Sequence, residues 1–494
     1  MGPVVAAGES SGTVGPDAFD VRAAAEGDRS VRTLSVMEGE GEPDARSLRP
    51  VTGGAVMSAV SRVAVAASGA ITSVAVARLL GAHGTGAYAI AATVTAMLVV
   101  FSTLGVEHGI AYFVSAGRWD AHSALRQSLV VAGGSGLVAA LVGLSGRLLF
   151  PSAFAGLTVA QVAIVVAALP FALALLYTIY IALSVSAYEA FVIPPAAVAV
   201  CALVLVSVGA ATVGETGVVL GLTLAQVTVC LVTLALASRW LPPRNDEAES
   251  SMLGPALRFG LKGYAGNALQ FVNFRFDVLI LSAVAGAADV GIYSVAVAIT
   301  GLVALLPPAL SDVVFPRVAA LSASDDADAE VQRAMVEEKG LKHVVVAVLA
   351  TGLAVVAALI ILVVPFYGEA FKPAIVEGLI LLPGAALLGI ASVLAATIVG
   401  RGFPQYGLYI ALAVTPTTVL LYAILIPALG ANGAALASSA SYAASFAGMV
   451  YFYRRVTGCN ALVILMPTRQ EFEDYRRLPR AVREWRARAT AASR

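Results

Sequence analysis

Two ionisable side chains interrupt an otherwise apolar stretch in the second half of the sequence. Arg275 and Asp277 lie within the run N-F-R-F-D-V-L-I-L, which begins at Asn273. Ionisable residues are costly inside a membrane and commonly mark substrate or ion pathways. A guanidinium keeps its proton in proteins and offers a planar set of donors. Arg275 is therefore predicted to bind an anionic group in a polar cavity, and a buried ion pair that only fixes packing is the alternative.

Asp277 is predicted to point away from Arg275, because two successive steps along an α-helix turn the chain by about 200°. We expect Asp277 to pair with another helix or to lie across a wet cavity. It would then either bind a coupling ion or belong to a structural ion pair. Glu107 and Asp312 lie 205 residues apart (312 − 107), the offset of an internal repeat described below, and the same two alternatives apply to them.

Three amide side chains precede Arg275 at intervals of three residues: Asn267, Gln270 and Asn273. Residues three apart on a helix are neighbours, so these amides are predicted to form one polar stripe. Together with Arg275, the stripe would suit a water-filled cavity that binds substrate. Hydrogen bonding between helices is the alternative role for such amides in a membrane.

No motif for covalent, metal or nucleotide chemistry accompanies these residues. The sequence has no P-loop, nucleophile elbow or H-E-x-x-H motif. His83 and His108 lie singly beside glycines, and Cys201, Cys230 and Cys459 match no disulfide or metal pattern. We therefore expect no metal, no cofactor, no catalytic residue and no direct use of ATP. The formal net charge of zero gives no indication of a nucleic-acid partner.

The composition predicts a polytopic membrane protein with an all-α fold. Hydrophobic residues make up 59% of the chain and charged residues 13%, with a mean hydropathy of +0.87, whereas soluble domains carry about a quarter charged residues. A crossing helix needs about 20 mostly apolar residues. Twelve such runs are predicted, at 54–78, 86–109, 127–149, 159–184, 191–213, 217–239, 258–284, 290–315, 343–365, 374–399, 405–428 and 433–453.

The chain contains two related halves. Residues 81–88 and 286–293 both read G-A-x-x-x-G-x-Y at an offset of 205. The segments that begin at Gly214 and Gly430 also match, in the same order. Six helices is an even number, so both halves enter the membrane from the same side. The pattern predicts two six-helix lobes related by an axis along the membrane normal.

The predicted organisation has five parts. They are a disordered cytoplasmic N-terminal tail (1–50), an N-lobe with helices 1–6 (51–240), a cytoplasmic linker (241–254), a C-lobe with helices 7–12 (255–456) and a basic cytoplasmic C-terminal tail (457–494). Predicted inner loops hold ten Lys and Arg residues and outer loops three. Because positive residues favour cytoplasmic loops, both termini are predicted in the cytoplasm.

Residues 1–50 show no basic segment followed by an apolar core, so no cleaved signal peptide is predicted. The first membrane span would then serve as the insertion signal. A translation start at Met37 or Met57 is the alternative explanation of this extension.

Several segments resemble the polysaccharide (O-antigen type) flippases of the multidrug/oligosaccharidyl-lipid/polysaccharide exporter superfamily. The resemblance rests on A-R-L-L-G-A-H-G-T-G-A-Y at 77–88, N-F-R-F-D-V-L-I-L at 273–281, D-V-G-I-Y-S-V-A at 289–296 and I-P-A-L-G-A-N-G-A-A-L-A at 426–437. It covers about residues 54–458. It implies a MATE-like pair of lobes around a cavity that opens to either side in turn. It also implies a polyprenyl-diphosphate-linked oligosaccharide as substrate and the plasma membrane as location.

Other functions stay open at this point. A cation-coupled multidrug exporter of the same superfamily would favour buried acids and aromatic residues in its cavity. A membrane glycan polymerase or ligase would need polar catalytic residues outside the membrane, and the predicted outer loops hold only a few to roughly ten residues. Proton or sodium coupling, membrane lipids and polysaccharide-assembly proteins are the partners we expect for a flippase.

Overall fold

The computed structural model of this protein is described for residues 45–244, 253–322 and 327–466. Within these ranges the chain forms α-helices and short 3-10 turns, with no strand, so the predicted all-α fold is confirmed. Backbone contacts divide the chain into two compact units, Met1–Gly53 and Gly54–Arg494. Residues 1–44 of the predicted N-terminal tail, 245–252 of the predicted linker and 467–494 of the predicted C-terminal tail lie outside the described residues.

The helices of the first half are α1 (Ala45–Thr103), α2 (Val106–Ser115), α3 (Ala121–Leu149), α4 (Val159–Ala167), α5 (Leu169–Ser184), α6 (Tyr188–Val213) and α7 (Glu215–Ala235). Those of the second half are α8 (Leu253–Ala285), α9 (Ala287–Thr300), α10 (Leu306–Ser322), α11 (Ala327–Tyr367), α12 (Pro373–Gly400), α13 (Gln405–Thr457) and α14 (Ala461–Ile464). The 3-10 turns are Pro151–Phe154, Ala237–Arg239, Gly301–Leu305 and Glu369–Phe371.

Ten described segments are long and apolar enough to cross a membrane, which makes this a multi-pass membrane protein. The two longest described segments have more than twice the roughly 20 residues that one crossing requires. They are Val60–Thr103, with 44 residues, and Gln405–Thr457, with 53 residues. Each contains a glycine with non-helical backbone, at Gly81 and Gly430 respectively. Each therefore consists of two helices joined at a glycine, and the count of twelve crossings stays a prediction.

The repeat noticed in the sequence is a repeat of backbone conformation. Gly81 (φ 68°, ψ −162°) and Gly286 (φ 89°, ψ −178°) begin the first pair of matching segments. Gly214 (φ 72°, ψ −142°) and Gly430 (φ 58°, ψ −134°) begin the second pair. Side chains with a Cβ avoid this region, so glycine is the residue that lets one helix end and the next begin at once.

Close glycine contacts hold the last two helices of each lobe together. In the N-lobe, a Cβ added to Gly217 would overlap the carbonyl oxygen of Gly209. In the C-lobe, a Cβ on Gly433 would overlap the carbonyl oxygen of Leu425. Membrane helices lack a hydrophobic drive to associate, so packing at small residues supplies much of their cohesion. In both lobes the last two helices therefore pack closely at a glycine.

Candidate functional site: the cavity between the lobes

A cavity of about 650 Å³ lies between the two halves of the chain, a size typical of small-molecule sites. Its N-lobe wall is formed by α1, through Val65, Ala66, Gly69, Ala70, Ser73, Tyr88, Ala89, Ala92, Thr93 and Ala96. Its C-lobe wall is formed by α8, α9, the following 3-10 turn and α11, through Phe274, Arg275, Asp277, Val278, Ser294, Val297, Ala298, Ile299, Gly301, Leu302, Leu305 and Tyr367.

The two walls use equivalent positions of the repeat. Seven of the ten N-lobe positions reach a C-lobe lining residue when 205 is added: 69 and 274, 70 and 275, 73 and 278, 89 and 294, 92 and 297, 93 and 298, and 96 and 301. The two lobes therefore contribute largely equivalent positions to the cavity wall. Its charge does not follow this equivalence, because the counterpart of Arg275 is Ala70.

Arg275 presents a free guanidinium to this cavity. The residue is exposed, and it forms neither a hydrogen bond nor an ion pair with any residue that the structure describes. Most of the surrounding wall consists of small or apolar side chains. A guanidinium has five donors, and no described acceptor forms a hydrogen bond with them here. It can therefore bind an anion that enters the cavity.

Asp277 lines the same cavity but is only 2% exposed. The Tyr293 hydroxyl donates a hydrogen bond of 2.6 Å to its Oδ2 atom, and the Val278 amide donates one of 2.8 Å to Oδ1. The partner on the neighbouring helix α9 is thus a hydroxyl, whereas the sequence left an ion pair open. Asp277 thus accepts hydrogen bonds from a hydroxyl and an amide, and Arg275 forms no hydrogen bond or ion pair with it or with another described residue.

A small network extends from Asp277 into the C-lobe. The Tyr293 hydroxyl lies 3.4 Å from the Ser438 hydroxyl, which lies 2.9 Å from the Tyr422 hydroxyl. Tyr422 also donates a hydrogen bond of 3.1 Å to the backbone carbonyl of Asn273. Both tyrosine side chains are fully buried. The network therefore fixes α8 against α9 and α13 beside the cavity wall.

Two of the three amides of the predicted stripe, Gln270 and Asn273, are absent from the described cavity lining. Asn273 is 2% exposed and is absent from the lining, and neither its Oδ1 nor its Nδ2 atom has a hydrogen-bond partner among the described residues. Gln270 is half-buried and is also absent from the lining, while the side chain of Asn267 lies outside the described residues. Position 273 lies about 200° around the helix from position 275, which separates the amide from the guanidinium. Substrate binding by these amides stays a prediction.

Glu107 is also absent from the described lining of the cavity. Glu107 occupies the first turn of α2 and is 8% exposed, and its Oε2 atom has no hydrogen-bond partner in the described part of the chain. The backbone of Asp312 belongs to α10, while its side chain lies outside the described residues. A role of either acid in ion coupling or in a structural ion pair stays a prediction.

On one side of the cavity the lobes meet at the two repeated turns. A Cβ on Gly86 would overlap the carbonyl oxygen of Ala287, and a Cβ on Gly291 would overlap that of Ala82. Adding 205 converts Ala82 to Ala287 and Gly86 to Gly291, so the contact is symmetric. The two turns therefore lie on one side of the membrane, as a parallel repeat requires. We call this end of the cavity the turn side.

The lobes also meet at the opposite end, beyond the cavity. A Cβ on Gly105 would overlap the carbonyl oxygen of Gly260, and Gly109 approaches Ala256 in the same way. The rings of Tyr112 and Phe259 stack there with their centroids 4.6 Å apart. This second contact joins α2 to α8. The cavity thus lies between two levels at which the lobes touch.

Comparison with protein families assigns this architecture. A family model described as "Polysaccharide biosynthesis protein" matches residues 75–376, more than half of the chain. The chain belongs to this polysaccharide biosynthesis family. The resemblance inferred from the sequence motifs is confirmed at this level. A comparison with curated protein sequences gave no match.

Solved structures show the same fold in transporters of the MOP superfamily. The lipid II flippase MurJ in an inward closed conformation is 13% identical, with a TM-score of 0.59 over 83% of this chain and 91% of that chain. An inward-facing MATE family multidrug resistance transporter is 16% identical, with a TM-score of 0.60 over 81% and 98%. An outward-facing MATE family multidrug resistance transporter is 15% identical, with a TM-score of 0.56 over 82% of this chain and 96% of that chain. The predicted MATE-like fold is confirmed.

The sequence did not predict one ionic cluster of this protein, formed by Arg401, Glu337 and Tyr453. The Arg401 guanidinium donates two hydrogen bonds to the Glu337 carboxylate, at 2.7 and 2.9 Å, and the Tyr453 hydroxyl donates a third of 3.2 Å. Glu337 is 2% exposed. The pair joins residues 64 positions apart, so no local pattern signals it. This ion pair stabilises the C-lobe and is not part of the cavity lining. Separately, the described residues include no group of His, Cys, Asp or Glu side chains that could hold a metal ion.

Proposed function

We propose that this protein moves a polyprenyl-diphosphate-linked oligosaccharide from the inner to the outer leaflet of the plasma membrane by alternating access. The observation that carries the proposal is Arg275, whose guanidinium lies in the cavity between the lobes and forms no hydrogen bond or ion pair with a described residue. Membership in the polysaccharide biosynthesis family supports a lipid-linked sugar as the substrate. The fold shared with a lipid II flippase agrees with it.

The diphosphate is the part of such a substrate that cannot cross hydrocarbon unaided. Two N–H groups of a guanidinium can form parallel hydrogen bonds to phosphate oxygens, which adds both charge compensation and geometric fit. Small lining residues such as Gly69, Ala70 and Ala92 leave room beside Arg275 for a sugar. The polyprenyl chain would stay in the lipid between the lobes while the head group crosses.

Alternating access requires the two lobe contacts to separate one at a time. Opening the turn side separates Gly86 from Ala287, and opening the other side separates Gly105 from Gly260. We propose that a proton or sodium gradient drives this exchange, with Asp277, Glu107 and Asp312 as candidate coupling groups. The proposed cycle moves the substrate without forming or breaking a covalent bond, so no catalytic residue is assigned.

Substitution of Arg275 tests the proposal. In vesicles that contain purified protein and a fluorescent polyprenyl-diphosphate-linked sugar, Arg275→Ala should slow flipping by about 100-fold or more. The reason is that a bidentate contact supplies two charge-assisted hydrogen bonds of about 1.5–3 kcal/mol each. Arg275→Lys should restore the rate in part, since an ammonium keeps the charge and loses the fork.

Arg258→Ala is the matched control, because Arg258 is an exposed arginine of the same helix that does not line the cavity. It should flip at the wild-type rate. All variants should insert and accumulate to the same level, measured in membrane fractions. Wild-type flipping by Arg275→Ala would refute the assignment of Arg275. Absence of flipping by the wild-type protein with this substrate would refute the proposed function itself.

A further inference from the structure

A second cavity lies between α10 and α11, away from the inter-lobe site. We call it the α10–α11 groove; its volume is about 480 Å³. Leu310, Val314 and Leu321 of α10 face Met335 of α11 across it, and the same groove contains Arg317 and Lys339. Apolar walls and two cations thus share one concave surface. We infer that this groove binds an anionic phospholipid, with its phosphate on the two cations and an acyl chain along the apolar wall.

The groove lies at the depth of lipid head groups. Residues 344–364 of α11 contain no ionisable side chain, and these 21 residues span about 31 Å, the thickness of the hydrocarbon core. Lys339 precedes this stretch by five residues, or just over one helical turn. Gly340 of α11 lies at the same depth as Val314 of α10, because a Cβ on Gly340 would lie 2.7 Å from a methyl of Val314. Arg317 follows Val314 by one turn, so it lies near the same level.

The two cations carry charge that no described residue neutralises. Three neighbouring acids of α11 already have partners, since Glu337 binds Arg401, Glu338 binds Lys342 at 2.6 Å and Glu330 binds Arg333 at 2.6 Å. Arg317 and Lys339 are both exposed, and neither forms a hydrogen bond or ion pair with a residue in the described ranges. The groove therefore complements an anion and repels a cationic segment.

The apolar wall selects a lipid over a soluble anion. Met335 is 48% exposed, and the neighbouring Val331 and Phe315 are 58% and 40% exposed, so the surface around the groove is apolar as well as charged. Apolar surface and basic side chains together favour the interface of an anionic bilayer. A free phosphate would use the cations alone and leave the apolar wall in water. We therefore assign the groove to a glycerophospholipid that carries net negative charge.

Native mass spectrometry of the full-length protein in detergent tests this inference. The protein is incubated with equal amounts of phosphatidylglycerol and phosphatidylcholine of the same acyl chains. Wild-type protein should retain phosphatidylglycerol preferentially. The double variant Arg317→Gln/Lys339→Gln should bind it about 30-fold more weakly, since each basic residue at an anionic surface strengthens binding roughly fivefold.

The matched control is Arg118→Gln/Arg126→Gln, which removes two exposed arginines at the start of α3 and in the turn before it. It should bind phosphatidylglycerol as the wild type does. Equal losses in both double variants would show a general charge effect and overturn the site. Equal retention of both lipids by the wild type would also overturn it, as would displacement of phosphatidylglycerol by millimolar inorganic phosphate.

A measurement on unaltered protein keeps the test decisive if the double variant does not fold. A photoactivatable phosphatidylglycerol is cross-linked to wild-type protein, and the labelled peptides are identified by mass spectrometry. Labels should concentrate within residues 310–343, which contain both walls of the groove. Labels that occur only elsewhere on the lipid-facing surface would refute the groove as the binding site.

Discussion

Asp277 illustrates how a buried carboxylate is held by hydrogen bonds from a hydroxyl and a backbone amide. Its two oxygens accept hydrogen bonds from the Tyr293 hydroxyl and the Val278 amide. Tyr293 is itself positioned near Ser438 on α13. A buried carboxylate oxygen that loses its hydrogen-bond donor is no longer compensated for its removal from water, so the folded state is destabilised. The hydroxyl of Tyr293 is therefore a determinant of C-lobe stability, independent of any role of Asp277 in coupling.

Removal of that hydroxyl should destabilise the protein measurably. Tyr293→Phe keeps the ring in its fully buried position and should cost about 1 kcal/mol, lowering the melting temperature in detergent. Tyr409→Phe is the control, since Tyr409 is 51% exposed and its hydroxyl has no hydrogen-bond partner among the described residues. An unchanged melting temperature for Tyr293→Phe would show that its bond to Asp277 does not stabilise the fold.

Among the helices, the contact of α1 with α9 decides whether the turn side is closed. Gly86 and Gly291 each face a backbone carbonyl of the other lobe. Arg78 adds a hydrogen bond of 2.7 Å to the carbonyl of Phe366 and also contacts the carbonyl of Pro365 at the end of α11. No side chain separates the two backbones at the glycines. A larger residue at either glycine should therefore keep this side open.

We expect Gly86→Leu to favour the conformation with an open turn side. Ser294 lines the cavity, so Ser294→Cys, in protein whose three native cysteines are replaced by serine, reports access. A polar maleimide added from the turn side should label Ser294→Cys faster when Gly86→Leu is present. Gly133→Leu is the control, because nothing lies within 4 Å of a Cβ at Gly133. Equal labelling in both backgrounds would contradict a gate at Gly86.

For the whole molecule, orientation in the membrane rests on charge distribution. Ten Lys and Arg residues in the predicted inner loops against three in the outer loops predict cytoplasmic termini and an extracytoplasmic turn side. Only this orientation lets a turn-side opening release substrate at the outer leaflet. The orientation and the proposed direction of transport therefore depend on the same observation.

Cysteine labelling in intact cells tests the orientation. Asp289→Cys, in the first turn of α9, should react with a membrane-impermeant maleimide added outside. Asp246→Cys, in the linker predicted from the sequence, should react only after the membrane is permeabilised. The background again carries serine at Cys201, Cys230 and Cys459. Labelling of Asp246→Cys from outside, with Asp289→Cys protected, would reverse the topology.

The sequence by itself determined the all-α class, the membrane class and the repeat. Each depends on properties of short segments, such as the length of an apolar run or the need for glycine at a positive φ. The runs predicted at 127–149 and 191–213 correspond to α3 and α6 within a few residues. The glycines at 81 and 286 were visible as matching turns because their backbone requirement is local.

Only the tertiary structure decided which residues meet. The rotation of α8 buries Asn273 and exposes Arg275 to the cavity, although both belong to one polar stretch. Residues distant in sequence form the contact of Gly86 with Ala287 and the ion pair of Glu337 with Arg401. Such contacts depend on how helices rotate and how lobes dock. These contacts arise from packing across the whole molecule, so they cannot be inferred from any short segment of the sequence.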